Sequence, residues 1–473
     1  MSTQEVPEEE VHDNSYWSIL REAIVGSNRD FTKGSIGLAV FLLAVPMILE
    51  MIMESIFAVV DVFFVGRLGP NAVAIVGLTE SMMFIIYAVA MGIGVGGMAM
   101  VSRRIGEKDR DGAARSATHA IYLGLIAAAA MGVIAAVFAP TFLGLLGAEP
   151  EVIEEGSLFA RLMLGGNIVV VFLFLLNSIF RGAGDAAVAM RVLWTANILN
   201  CILDPLLIFG VGPFPELGVT GAAVATLTGR GVGVLLAFYY LFYGAKHFTI
   251  RKVHWKFETD RFGRLIKLSR VAVLQFLIGT TSWLGLMRVV SSFGSEAVAG
   301  YTIAIRIIIF GLLPAIGLAN AAATLVGQNL GAGQPERAEK SVWKSALYNA
   351  IFQTSIGALF VIFAAPICGI FTSDPEVLLH ATDGLRIISY GFLFYAVGMV
   401  LETSFNGAGD AWTPTYLNMF IFWLFEVPLA YVLAHWAGMG PHGVYWSITI
   451  AFSALAVASA ILFRRGKWKK VEV

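Results

Sequence analysis

FRGAGDA at residues 180–186 returns as FNGAGDA at 405–411, 225 positions later. The interval is not confined to that pair. LGPNAVA from Leu68 precedes FGSEAVA from Phe293 by the same 225 residues, and RRIGEKDRDGA from Arg103 stands opposite QNLGAGQPERA from Gln328. Three matches in one register predict a chain built from one long unit used twice, with almost no insertion between copies.

Composition says what the unit is. The chain has 473 residues, 58% of them hydrophobic and only 14% charged, with 50 glycines and a mean hydropathy of +0.77. That excludes a soluble multidomain enzyme and predicts a polytopic membrane protein. Crossing a hydrocarbon core takes about 20 apolar residues per helix. Apolar runs between Gly, Pro and charge breaks predict twelve spans, over roughly 36–66, 73–100, 116–140, 152–179, 186–210, 218–243, 265–292, 297–326, 342–367, 376–404, 411–437 and 443–463. The fold class is therefore all-α, twelve transmembrane helices in two six-helix lobes. Because six is even, both copies lie the same way up, a parallel repeat about an axis along the membrane normal.

Charge placement sets the orientation. The net charge is −1, from 32 basic and 33 acidic residues, which points away from nucleic acid. SRRIGEKDRDGAAR, GAKHFTIRKVHWKFETDRFGRLIK, QPERAEKSVWK and RRGKWKK are rich in Lys and Arg, whereas the alternate connections GAEPEVIEEG and TSDPEV carry acids and no Lys or Arg. The positive-inside rule then puts both termini and the even-numbered loops in the cytoplasm of a plasma (inner) membrane protein. The expected organisation is a cytoplasmic tail with a short amphipathic segment over 1–34, a lobe over 35–243, a basic linker over 244–264, a second lobe over 265–463 and a basic tail over 464–473. MSTQEVPEEE is too acidic for a signal peptide. Cys201 and Cys368 lie in apolar runs and read as packing residues, and the seven His residues form no metal-ligand spacing.

VVDVFFVGRLGPNAVAIVGL, the paired F[RN]GAGD segments, and ANILNCILDP followed by GVTGAAVAT resemble the multidrug and toxic compound extrusion (MATE) transporters, from about residue 36 onward. The resemblance implies a V-shaped pair of lobes that exports amphipathic, often cationic drugs against a sodium or proton gradient. Its details resemble the archaeal and DNA-damage-inducible branch.

LEMIMESIFAVVDVFFVGRLG, residues 49–69, carries the chemistry of the first span. At about 100° per residue, Glu54 lies roughly 40° around the helix from Glu50 and Asp61 about 20°. One face thus holds three carboxylates, and it must look away from lipid, where a charge costs about 2.5–3.5 kcal/mol. Such acids bind a cation, pair with Arg or hold protons. Pro46 frees the carbonyl of Leu42 on the same helix. In the fifth span Asn200 and Asp204 share a face at i, i+4 spacing, Pro205 frees the carbonyl of Cys201, and Thr226 offers a hydroxyl from the sixth. The resemblance assigns Asp61, Asn200, Asp204 and Thr226 to an ion-coupling site for Na+ or H+. Phe159 stands where a tyrosine is common in the family, which removes a polar partner.

The register supplies a control. Asp61 + 225 is Leu286 and Asp204 + 225 is Leu429, so the second lobe lacks both acids. It carries instead Glu402 and Glu426, opposite Asn177 and Cys201; with Glu50, Glu54 and Glu80 these are candidates for substrate contact or proton relay. Each has a bland alternative in local pairing or surface exposure. Arg161, Arg191, Arg230, Arg288 and Arg306 read as snorkelling residues, with Arg230 the most plausible internal partner for an acid, and Phe63, Phe64, Phe84 and Tyr87 offer faces for stacking. GIGVGG, Gly92 to Gly97, satisfies a dinucleotide pattern but has no strand before it; Gly92 and Gly96 read as a close helix approach. The two GAGD turns read as glycine turns whose Asp starts the next helix.

The expectation is a cation-coupled drug antiporter, not an enzyme. It needs no cofactor beyond the coupling ion, acts on small amphipathic molecules within the bilayer, binds no nucleic acid and works as a monomer. The rival is a flippase for a lipid-linked saccharide, which wants a cationic cavity where the charges here are acidic.

Overall fold

The structure is a computed structural model that describes residues 15–244 and 246–473. The acidic opening MSTQEVPEEE, part of the expected tail, lies outside the described residues. Every regular element among those described is helical, as hydrocarbon demands of a chain that cannot leave backbone groups unpaired. Spans 1 to 3 are Ile36–Gly66, Pro70–Gly106 and Arg110–Val137; spans 4 to 6 are Pro150–Ala183, Ala186–Ile208 and Val219–Gly244. Spans 7 to 9 are Thr259–Phe293, Ser295–Gly331 and Pro335–Cys368, and spans 11 and 12 are Trp412–Trp436 and Pro441–Arg464. Span 10 is a pair, Pro375–Ser389 and Phe392–Ala408, bent by 59°. The twelfth crossing exists only when that pair counts as one span.

The duplication is visible in the helix ends. Span 2 and span 8 are each 37 residues, and their starts at Pro70 and Ser295 differ by 225. The second helix of span 4, Asn167–Ala183, and that of span 10, Phe392–Ala408, are each 17 residues at the same offset. Both end on a glycine in the left-handed region, Gly184 at φ 93° and Gly409 at φ 86°, which L side chains avoid. The two aspartates that follow differ. Asp410 behaves as a helix starter and accepts from Thr413 N at 3.2 Å, whereas Asp185 makes no side-chain cap and is buried 3.5 Å from His247 Nε2.

One boundary departs from the hydropathy reading. Span 7 begins at Thr259, inside the segment expected to be linker, because a helix may start in water before its apolar part begins. The linker is also not a free tether. Tyr122 donates its hydroxyl to Trp255 O at 2.7 Å, His119 Nε2 accepts from Glu258 N at 2.8 Å and Arg115 pairs with Glu258 at 2.6 Å, so the linker folds as a cap over span 3.

The halves meet at the end that carries the basic loops. A methyl on Gly92 would fall 2.6 Å from Val273 N, and one on Gly317 2.7 Å from the Met47 carbonyl carbon; glycine there lets span 2 reach span 7 and span 1 reach span 8. Thr324 Oγ1 donates to Arg181 O at 3.0 Å and Gln328 Nε2 to Gly182 O at 3.1 Å. Arg103 donates to Ala408 O and Val471 O, and Arg337 to the carbonyls of Phe31, Lys33 and Gly34. At the opposite end no hydrogen bond joins the halves among the described residues, and the cleft opens there.

Candidate functional site

Three of the four residues assigned to ion coupling come together inside the first half. Asp204 is fully buried on span 5. With its amide turned to satisfy every neighbour, Asn200 donates from Nδ2 to Asp204 Oδ2 at 2.9 Å. Its oxygen accepts from Thr226 N at 2.9 Å and from Thr226 Oγ1 at 3.1 Å. Close packing makes this register possible, since Gly229 on span 6 presses against Asn200 and the backbone of Ala196. Asp204 Oδ1 has no hydrogen-bond partner. A buried carboxylate oxygen without a donor is costly unless a proton or cation occupies it.

Asp61 stands near this trio without bonding to it. It is half-buried on span 1, within Coulombic reach of Asp204 and Arg230, and among the described residues no hydrogen bond ties it to Asn200, Asp204 or Thr226. No group of three or more His, Cys, Asp and Glu able to hold a metal ion occurs among them either. The oxygens on offer are a carboxylate, an amide and a hydroxyl with a second carboxylate nearby, a hard-donor set that suits a monovalent cation or a proton. Phe159 packs in an apolar cluster with Ile208 and Ala223 and adds no polar group.

The other acids of span 1 already have partners. Glu50, 1% exposed, accepts from Arg181 Nη1 at 2.8 Å and from Asn177 Nδ2 at 3.1 Å. Glu54 accepts from Asn197 Nδ2 at 2.8 Å and faces Arg230 Nη2 at 3.7 Å. Arg230 is itself buried, lies over the Phe57 ring at 5.6 Å and feels Tyr87, Glu54 and Asp61. Span 1 thus carries a graded series: Glu50 bonded to Arg181 and Asn177 through Oε1 with Oε2 left without a partner, Glu54 loosely paired, Asp61 free of a bonded partner among the described residues.

Arg181, Asn177 and Asn197 were not among the sequence candidates, although a signal was present for one contact. Glu50 + 225 is Gln275 and Asn177 + 225 is Glu402. In the second half Gln275 Nε2 donates to Glu402 Oε1 at 2.8 Å, the same contact as Asn177 to Glu50 with acid and amide exchanged between spans. Arg181 + 225 is Asn406, so the second copy has the pair without the arginine. Glu426 is 2% exposed in the π-helical stretch Met419–Glu426, with Oε1 unpartnered and Tyr301 and Tyr395 near its charge. Glu80 is exposed and within Coulombic reach of Arg306, across the cleft on span 8. Arg161, Arg288 and Arg306 are exposed, and Arg191 lies over the Tyr240 ring. Phe63 and Phe84 are exposed, Phe64 packs edge-on against Phe209, and Tyr87 packs against Phe174.

Comparison with known proteins places this arrangement. The MatE family model matches twice, over residues 46–206 and 272–432, at starts 226 apart (272 − 46), one residue from the internal register. A probable multidrug resistance protein NorM of Thermotoga maritima is 26% identical over 434 residues, covering 90% of this chain and 92% of that protein. A FAD transporter of Shewanella oneidensis is 27% identical over 91% of this chain and 95% of its own length. The multidrug export protein MepA of Staphylococcus aureus is 25% identical over 91% and 94%. Among solved structures, a multidrug resistance MATE transporter of the MOP superfamily in its outward-facing conformation superposes with a TM-score of 0.88 at 27% identity, covering 94% of this chain and 99% of that one. A MOP superfamily transporter from Pyrococcus furiosus, described by the reverse polarity of its binding pocket, matches equally well at 0.88 and 27%, covering 93% and 98%. Both copies of the repeat match the family model and the fold coincides along nearly its whole length: this chain is a multi-pass membrane transporter of the MatE family, related to multidrug exporters.

Proposed function

We propose that the protein exports amphipathic, cationic compounds by alternating access in exchange for Na+ or H+, with coupling confined to the first half. The observation that carries the reading is Asp204, fully buried, held by Asn200, which Thr226 in turn fixes, and left with one bare carboxylate oxygen. A proton or sodium ion there removes an uncompensated negative charge, and Asp61 supplies the second carboxylate. Loading one site relieves repulsion between the two acids and lets span 1 settle against span 5. Release restores the repulsion, so occupancy and helix position are linked. Glu80, exposed opposite Arg306, and the half-buried Glu402 are acids that would favour a cationic cargo.

The set Asp61, Asn200, Asp204 and Thr226 supports the archaeal and DNA-damage-inducible branch, and Leu286 and Leu429 in the second half argue against a twin site there. Basic loops at the closed end support a cytoplasmic placement of both termini in the plasma membrane. The protein acts as a monomer, each chain holding a complete site.

The test is efflux of ethidium from proteoliposomes under an imposed sodium or proton gradient. Wild type should move the dye under one gradient, and Asp61→Asn and Asp204→Asn should each reduce gradient-driven transport by at least tenfold. Transport under neither gradient would end the drug-export reading and turn the search to lipid-linked saccharides.

A further inference from the structure

The basic face of the molecule carries a furrow that ion coupling does not use. It has two joined compartments, about 630 Å³ and 410 Å³, that share Arg110 and His247. Lys108 lines the first; Lys246 and Arg251 line the second. The N-terminal segment around Phe31 forms one wall, and Gln328 of span 8 reaches in from the other half. The furrow therefore sits where both halves and the N-terminal segment converge.

Among the described residues its charge is unbalanced. Lys108 is answered by Asp30 at 3.3 Å, and Asp111 is engaged by His254 at 3.1 Å. Among the described residues Lys246 donates to the carbonyl of Gly26 at 2.8 Å and lies within Coulombic reach of Asp185. Arg110 and Arg251 have no side-chain ion pair among the described residues, and both are exposed toward the furrow. His247 Nε2 makes no hydrogen bond and looks at Asp185 from 3.5 Å. Positive charge with fixed walls and vacant donors is the complement of a phosphate group, which offers several strong acceptor oxygens and at least one negative charge.

The level of the furrow indicates the source. Span 6 ends in exposed Tyr239 and Tyr243, aromatic side chains of the kind that mark the membrane–water boundary. Lys246 and His247 follow within four residues of Tyr243 (247 − 243), at headgroup depth. Basic pockets between spans at that depth suit anionic lipid headgroups.

We propose that this furrow is a binding site for an anionic phosphate group, supplied by the headgroup of an acidic phospholipid. The site is separate from Asp61 and Asp204 and stands whether or not the chain exports cations. A phosphate held there bridges the N-terminal segment, the loop between spans 2 and 3 and the linker, all on the closed end of the molecule.

The test uses the full chain in detergent and counts bound lipid by native mass spectrometry, with phosphatidylglycerol against phosphatidylcholine. Wild type should retain phosphatidylglycerol selectively and saturably, and the double variant Arg110→Gln/Arg251→Gln should bind it about tenfold or more weakly, the order expected for two cations at a charged surface. Arg465→Gln, an exposed cation of the same face outside the furrow, should change nothing. Melting of wild type gives a reading that needs no variant: phosphatidylglycerol should raise the midpoint and phosphatidylcholine should not. Inorganic phosphate at millimolar concentration separates the sources. If it leaves the lipid in place the headgroup is the ligand, and if it displaces the lipid a soluble phosphate also serves the site. Equal retention of the two lipids, or equal weakening by Arg465→Gln and the double variant, would mean diffuse attraction and overturn the site.

Discussion

At the scale of single residues, the pair Glu50 and Arg181 tests whether buried charge here is structural or functional. Both side chains are at least nine-tenths buried, 2% and 10% exposed, at 2.8 Å. Removing one member of such a pair leaves an uncompensated charge and costs about 3–5 kcal/mol, whereas removing both is often close to neutral. Arg181→Gln should therefore lower the melting midpoint in detergent markedly, and Glu50→Gln/Arg181→Gln should recover most of the loss. A double variant as unstable as the single one would show that Arg181 acts chiefly through other contacts, such as Ser178 at 2.9 Å.

The same residues show what a sequence can disclose at this scale. That Glu50, Glu54 and Asp61 face inward follows from helix geometry and the cost of charge in lipid. That Asn200, Asp204 and Thr226 meet follows from i, i+4 spacing and the family motif. The choice among proton, cation and arginine for each acid does not follow, because it depends on which helix packs alongside. Arg181 lies in FRGAGDA, a stretch whose glycines draw the eye to its turn, and its side chain reaches span 1 only because the fold sets span 4 against that half of the protein. The register did hold one clue, since the exchange of Glu50 and Asn177 for Gln275 and Glu402 is a compensated pair.

At the scale of elements, hydropathy located the spans and missed their irregularities. The 59° bend in span 10 falls at Tyr390 and Gly391, and span 11 runs through π-helical turns at Met419–Glu426 and Val432–Trp436. Both stretches lie in predominantly apolar sequence, with Glu426 and His435 the exceptions, so hydropathy carries no mark of them. The linker's charge, by contrast, is legible in the sequence, and in the fold that charge holds it down. Burial raises the Glu258 carboxyl, but hydrogen bonds from Arg115 and Arg261 outweigh burial and set it below the usual carboxylate range. A folded-state value below the unfolded one adds stability that is complete above the unfolded pKa of about 4.3 and disappears as pH falls through the folded value. Glu258→Gln should thus melt below wild type by a constant margin near neutral pH, and the margin should close once pH drops below about 4. A margin unchanged across that range would assign the linker's anchoring to Tyr122 and His119 instead.

At the scale of the whole molecule, duplication gives two halves with one architecture and unequal chemistry. The first keeps Asp61 and Asp204 where the second has Leu286 and Leu429, so under the coupling proposed above one half would sense the ion and the other respond. For the response to reach the cleft, the closed end must part, and it is held both by close glycine-mediated helix packing and by polar contacts. Arg337 of span 9 donates to Gly34 O at 3.0 Å, Phe31 O at 3.2 Å and Lys33 O at 2.8 Å, tying the second half to the segment ahead of span 1. A charged hydrogen bond contributes about 1.5–3 kcal/mol, and its partners here are partly exposed, so the low end applies. Losing about 1.5 kcal/mol moves a two-state ratio roughly tenfold. Arg337→Gln should shift the population toward a molecule open at its basic end, seen as a longer distance between spin labels at positions 108 and 340 and as faster modification of a cysteine at Ser269, which lies against Gly96 in the closed form. Because the coupling acids are untouched, gradient dependence should survive in this variant even as turnover changes. An unaltered distance distribution would place the energetic weight of closure on the glycine contacts between spans 1, 2, 7 and 8, where removal of a hydrogen bond has no leverage.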